Sequence, residues 1–250
     1  FKQKTAYEML RSLVGSEMCI RDRFRVPADK IAVTHLASMP IYRCIENRYE
    51  VRQAILKYGL DMEQYILHVG TADVRKNIPC LIEAFSILAT DFPYLKLVLV
   101  GSQGWKNKEE IRIQQAIQTY NLTDRVLRLG YVFDKELVYL YNGAALFAFP
   151  SLYEGFGIPV LEAMSCGTPV VTSNVSSLPE VSGDAAVLIN PESADDLASA
   201  MRTILNQPTY RQTLIERGIE RARQFSWERT ARETVHVFES VYLEHLDRKH

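Results

Sequence analysis

The chain has 250 residues, enough for one large domain or two small ones that bury roughly 70–75% of the unfolded surface. With 47% hydrophobic residues, 24% charged residues, a net charge of −1 and no basic or acidic block, it has an ordinary soluble globular composition and gives no sign of nucleic-acid binding. Cys19, Cys44, Cys80 and Cys166 are scattered without a CxxC pair, which excludes a disulfide framework or zinc site and points to reduced thiols in a cytoplasmic protein. No apolar run reaches the ~18 residues of a membrane span, while peripheral association with a membrane is left open.

The first 23 residues, FKQKTAYEMLRSLVGSEMCIRDR, differ in character from the rest of the chain. They read either as a short amphipathic helix or as a non-native segment. The second reading is the expectation, because the string resembles read-through of non-coding or adapter sequence. Beyond them, short apolar runs alternate with helical patterns. The expected strands are Ile31–Thr34, Tyr65–Val69, Leu95–Val100, Val126–Leu129, Ala145–Phe149, Pro169–Thr172 and Ala186–Ile189. LKLVLVG and ALFAFP are apolar almost throughout, as strands covered on both faces are. The stretches between them, such as IPCLIEAFSILATDF and NKEEIRIQQAIQTYNL, have helical periodicity. The fold class is therefore α/β, a doubly wound, mostly parallel Rossmann-like sheet. From Ala194 to about His245 the pattern is helical only, in two or three helices.

In such a sheet, ligands bind where strands run into helices at their carboxyl ends. Three of these junctions carry chemistry. After Val69 comes GTADVRKN, with Arg75 and Lys76 able to neutralise a diphosphate and Asn77 placed to cap the next helix. An isolated Arg-Lys pair fits a solvated basic turn as well. After Phe149 comes PSLYEGFGIPVLEAMSCG, with a helix expected to start near Ile158-Pro159 and stop at Gly167. Gly155 and Gly157 lie just before that helix, where backbone N–H groups and the helix dipole can hold an anion or a sugar diphosphate. Glu154 would stand at the mouth, and Glu162, one turn into the helix, can accept two hydrogen bonds from a diol such as ribose. Taken alone, this run also fits a tight turn with one solvated and one capping glutamate. After Thr172, the residues Ser173, Asn174, Ser176 and Ser177 could touch a ligand or cap a short helix at Pro179.

Other features carry less. GSQGWK, residues 101–106, follows a strand but lacks the GxGxxG spacing of a dinucleotide loop. His35 and His68 lie in or beside apolar runs and read as packed residues. Cys166 has no local histidine partner. No Asp-x-Asp pair is present to chelate a metal.

In this order, ILHVGTADVRKN, LVLVG, VLRLGYVFDKELVYLYNGA, PSLYEGFGIPVLEAMSCGTPVVTSNVSSLPEV and FSWERTA resemble the donor-binding half of glycosyltransferase family 4. These are retaining enzymes of the GT-B fold. The resemblance runs from about Phe24 to Tyr242, and Glu154 and Glu162 match the family's paired-glutamate signature. It implies a retaining transfer of a hexose from a nucleoside-diphosphate sugar to a glycan or lipid-linked acceptor, without a metal or other cofactor. It implies catalytic roles for Glu154, Lys76 and Arg75, the last two at the diphosphate. Glu154 with the backbone of Gly155, Phe156 and Gly157 would meet the sugar, and Glu162 the ribose. Tyr131 and Val132 would bracket the base through main-chain contacts, with Gly70 and Thr71 beside the phosphates. Many relatives carry a basic residue directly after that glycine; Thr71 stands there here, which shifts the phosphate role onto Arg75 and Lys76. The form VGT…RKN looks mannosyltransferase-like and favours GDP-mannose over a UDP-sugar.

The resemblance also implies a division of the chain. Residues 24–60 form a linker and first strand, 61–225 the donor-binding domain, and 226–250 a helix that would pack on an acceptor-binding half this chain lacks. Apolar side chains such as Val237, Phe238 and Tyr242 should then be exposed, and the fragment inactive alone. In a cell the protein is expected in the cytoplasm, with the inner face of the plasma membrane as a site of peripheral association. The alternatives are half of a nucleotide-sugar epimerase, a non-catalytic sugar-nucleotide-binding domain and, disfavoured by the missing glycine fingerprint, an NAD domain.

Overall fold

The computed structural model describes residues 27–102 and 108–247; the segment 1–23 and residues 103–106 of the GSQGWK loop lie outside them. Six strands, β1 (Tyr65–Val69), β2 (Lys96–Val100), β3 (Val126–Gly130), β4 (Leu146–Phe149), β5 (Val170–Ser173) and β6 (Ala186–Ile189), match the expected runs to within one residue at each end. They form one parallel sheet in the order β3-β2-β1-β4-β5-β6. The chain winds outward from β1 to β3 and then returns to build from β4 to β6. The order therefore reverses between β1 and β4, and the crevice there is the topological switch point of a doubly wound fold.

The helices are α1 (Arg48–Leu56), α2 (Ile78–Ala89), α3 (Lys108–Thr119), α4 (Asp134–Gly143), α5 (Ile158–Ser165), α6 (Leu178–Ser182), α7 (Ala194–Asn206), α8 (Pro208–Arg223) and α9 (Trp227–Asp247). Alternate residues of each strand feed two cores. Leu67, Phe147, Phe149 and Val170 pack with α4 and α5 through Tyr141, Val160 and Leu161. Ile66, Leu146, Ala148 and Val171 face α2 and α7 through Leu81, Phe85, Leu197 and Met201. Both faces are covered, which is why these strands read as unbroken apolar runs.

Three expectations need correction. Ile31–Thr34 belongs to no strand and is half-buried to exposed; it is β-branched enough to extend but pairs with no edge of the sheet. The stretch 24–60, expected as linker and strand, instead contains α1, whose Val51 and Ile55 are buried. Asn77 stands at the start of α2 but does not cap it, because its backbone is left-handed (φ 55°, ψ 36°) and its side chain turns away. The Nδ2 group donates to the carbonyls of Pro150 (3.2 Å) and Pro191 (2.6 Å). Asn77 thus ties the loop after β1 to the loops after β4 and β6.

Gly167 ends α5 as expected, with φ +71° just past the cap. Along α9, Phe238 and Tyr242 are exposed as expected, together with Val235 and Val241, whereas Val237 is half-buried.

Asn77→Ala should cost about 2–4 kcal/mol in denaturant unfolding, from two lost hydrogen bonds and a left-handed backbone without asparagine. Asn77→Gly, which tolerates that backbone, should lose roughly half as much. Equal losses in the two variants would show that backbone strain contributes nothing there.

Candidate functional site

Lys76 and Glu154 meet at the switch point, one from the loop after β1 and the other from the loop after β4. The Lys76 Nζ donates to Glu154 Oε1 at 2.6 Å, and the side chains are only 13% and 12% exposed. The ammonium also lies 4.6 Å from the centroid of the Phe149 ring. A short turn, Val74–Lys76, presents the lysine. Asp73 begins that turn by accepting from the Arg75 backbone N–H at 2.9 Å. The same carboxylate grips the Arg75 guanidinium in two places, Nε to Oδ1 at 3.0 Å and an Nη to Oδ2 at 3.1 Å. The hydrogen bonds from Arg75 hold the Asp73 carboxyl below its ordinary range. Neither cation expected at a diphosphate is therefore free; each is paired with a carboxylate of the chain.

The Glu154 loop is held from several sides. The Leu152 N–H donates to the Arg75 carbonyl at 2.7 Å, joining it to the cation loop. The Glu154 N–H donates to Ser176 Oγ at 3.1 Å, and Ser176 has a positive φ of 57°. Ser177 Oγ contacts the carbonyl oxygens of Glu154 at 3.0 Å and Phe156 at 2.9 Å. Ser177 precedes α6, yet its hydroxyl makes no cap bond. The capping alternative for this serine thus gives way to a clamp on the glycine loop. Phe156 packs against His35 (6.1 Å) and Phe225 (5.9 Å), and the His35 ring also meets Glu180 at 2.8 Å.

Gly157, expected to open the backbone to a ligand, is buried with φ +110°. An added Cβ would come within 2.8 Å of Leu178 Cδ2, so a side chain here would have to displace that leucine and strain the backbone. Gly155 is half-buried and lies in the same loop. Gly70 separates two site residues: a Cβ there would fall 3.2 Å from both His68 Nε2 and Lys76 Cδ. Thr71 follows it, exposed.

Glu162 sits on α5 in a different setting. Tyr141 of α4 donates its hydroxyl to Oε2 at 2.9 Å. Tyr42 stacks edge-on to Tyr141 at 5.7 Å and donates to Asp134 Oδ1 at 2.6 Å. Burial pushes the Glu162 carboxyl up to about 7; the Tyr141 bond opposes this, and Asp134 adds to it. Part of its acceptor capacity is therefore already used by the phenol. Neither tyrosine stood out in the sequence. For Tyr141 the signal available was a tyrosine on a helix face that also carries Leu137, Val138 and Leu140, whose buried hydroxyl needs a partner.

His68 is packed as expected. Its Nδ1 donates to the Ala148 carbonyl at 2.9 Å, and burial pushes its pKa down to about 4. His68 Nε2 is buried without a hydrogen-bond partner. After β3, Val132 is buried in the core, whereas Tyr131 is exposed and stacks edge-on with exposed Phe133 at 5.2 Å. Among the described residues no group of three or more His, Cys, Asp or Glu is placed to hold a metal, and no helix is long and apolar enough to cross a membrane.

The sequence pattern described as "Glycosyl transferases group 1" matches residues 52–221, which span β1 to β6 and every side chain of the Lys76–Glu154–Glu162 constellation. This chain belongs to the group 1 glycosyl transferases. Among curated relatives of this group 1 glycosyl transferase, the O-antigen chain mannosyltransferase B of Escherichia coli is 39% identical over 219 residues. The match covers 86% of this chain and 56% of that relative, so the chain spans about half its length. Among solved structures, sucrose-phosphate synthase from Thermosynechococcus elongatus is similar with a TM-score of 0.68 and 29% identity, over 94% of this chain and 66% of that one. The Anabaena Alr3699/HepE structure, solved with UDP and glucose, shares the fold with a TM-score of 0.74 at 22% identity, over 86% of this chain and 58% of its own. The group 1 glycosyl transferase fold thus confirms the Rossmann-like, GT-B expectation.

The Glu162 setting has a pH signature. Its folded-state pKa is raised, so below about 4.5 both folded and unfolded states are protonated and burial carries no ionic cost. As pH rises toward 7 the unfolded state releases a proton the folded state retains, and stability falls, by about 3 kcal/mol at most. Glu162→Gln should therefore melt several degrees above the parent at pH 8 and converge with it near pH 4.5. A melting difference independent of pH would contradict a buried, destabilised carboxylate.

Proposed function

We propose that this chain is the donor-binding half of a retaining glycosyltransferase. It would move a hexose, mannose favoured, from a nucleoside-diphosphate sugar to a glycan or lipid-linked acceptor. The observation that carries the reading is the Lys76–Glu154 pair, largely shielded at the switch-point crevice, with Glu162 on the helix beyond it. The family membership and the mannosyltransferase relative support it.

In this reading Lys76 and Arg75 take the diphosphate and stabilise the negative charge that develops as it departs. Glu154 orients the sugar and offsets its oxocarbenium character, the acceptor arriving on the face from which the diphosphate leaves. Glu162, steadied by Tyr141, takes the ribose hydroxyls. The main chain at Tyr131 and Val132 brackets the base.

Calorimetric titration with GDP-mannose, UDP-glucose, UDP-GlcNAc and NAD tests the donor class. Binding of one sugar nucleotide, GDP-mannose first, is the expected result; binding of NAD alone would overturn the reading. In a full-length protein, Lys76→Ala should reduce transfer by ~10²–10³, the range for losing one electrostatic group at a leaving anion. Turnover near the parental rate would refute the assignment.

A further inference from the structure

We propose that Glu154 makes the site discriminate against the bare nucleoside diphosphate, the by-product of transfer, by holding Lys76 until a sugar takes its place. This deepens the reading above and rests on Lys76 being the diphosphate ligand.

The Lys76–Glu154 pair is short and largely shielded from water, with side chains 13% and 12% exposed. Separating it therefore leaves two groups that need new partners, not two groups that solvent will satisfy. One of the three Lys76 N–H donors is on Glu154 and the ammonium is seated over the Phe149 ring, so a phosphate drawn to Lys76 competes with Glu154 for the same positive charge.

The consequence depends on what the ligand brings. An intact sugar nucleotide supplies a phosphate for Lys76 and sugar hydroxyls, which can donate to Glu154. Every hydrogen bond broken is then replaced. A bare nucleoside diphosphate supplies the phosphate but no donors for the carboxylate. Its terminal phosphate also carries an extra negative charge, brought beside a buried anion. It thus suffers both an unmet carboxylate and like-charge repulsion. Because Ser176 and Ser177 clamp the Glu154 backbone, the carboxylate cannot readily swing into solvent.

The neighbouring Arg75–Asp73 pair serves as an internal contrast. It is about half exposed, with side chains 55% and 38% accessible, so water can satisfy Asp73 when a phosphate draws Arg75 away. Its exchange should favour neither ligand.

The test is calorimetric titration of the whole chain and of Glu154→Gln and Asp73→Asn with GDP, GDP-mannose, UDP and UDP-glucose. Melting curves establish that each variant is folded. The parent should bind the sugar nucleotide more tightly than the matching bare diphosphate. Glu154→Gln should bind the bare diphosphate roughly tenfold more tightly than the parent and the sugar nucleotide no better, so the preference collapses or inverts. Asp73→Asn should strengthen both ligands alike and leave their ratio unchanged. Should Glu154→Gln fail to fold, Glu154→Asp, with a shorter reach to Lys76, should shift the ratio in the same direction by less. Bare-diphosphate affinity unchanged or weakened in Glu154→Gln, while the parent binds a sugar nucleotide, would overturn this inference and leave the donor-binding reading standing. If the parent binds none of the four ligands, the donor-binding reading fails and this inference falls with it.

Discussion

A half-buried ammonium and a buried carboxylate, 2.6 Å apart and drawn from loops 78 residues apart in sequence, are what the rest of the site is arranged around. Removing an ion from water is costly, and each charge in this crevice is offset by the other. Attraction across the pair offsets that cost only if the two loops are fixed against each other. Backbone-level ties provide this. Asn77 reaches Pro150 and Pro191, Leu152 bonds to Arg75, and two serines clamp the main chain around Glu154. Several of these residues touch neither charge, yet all bear on where the charges lie. The sheet supplies the frame: β1 and β4 are adjacent strands, so the loops leaving them converge on one crevice.

The two glutamates of the motif, eight residues apart, are held by different partners. Glu154 is held by a cation at the crevice, Glu162 by a phenol inside a tyrosine-lined helical layer. The difference is one of surroundings. Burial without a counter-charge pushes Glu162 toward neutrality, and a neutral or partly neutral carboxyl is a poor anion but a serviceable hydrogen-bond partner for hydroxyls. The fold thus makes two chemically identical side chains suited to different parts of a ligand, at a cost in stability near neutral pH.

The strands were legible because both faces of the sheet are covered, so Tyr65–Val69 and Leu146–Phe149 carry apolar side chains almost without interruption. Ile31–Thr34 shows the limit of that signal: the same residue types extend the chain, but a strand also needs a neighbour to pair with. The site was legible in part. Lys76, Arg75, Glu154 and Glu162 stood out because charged residues at strand-to-helix junctions are conspicuous against apolar surroundings. The serine clamp, the Asn77 crosslink and the Tyr42–Tyr141 pair were not, because a hydroxyl or an amide announces no partner in the sequence.

Local sequence by itself therefore determined the six strands and their order along the chain, the glycine that ends α5 and the shortlist of charged groups. Each of these arises from short-range sterics or from a periodicity within one segment. Only the tertiary structure decided which charge meets which. It placed Lys76 on Glu154 and Arg75 on Asp73, turned Asn77 from a cap into a tie, and set Leu178 where a side chain at Gly157 would reach. These outcomes depend on distances between segments far apart in the chain, and such distances are set by the packing of the whole sheet and its helices. No single stretch of residues encodes them.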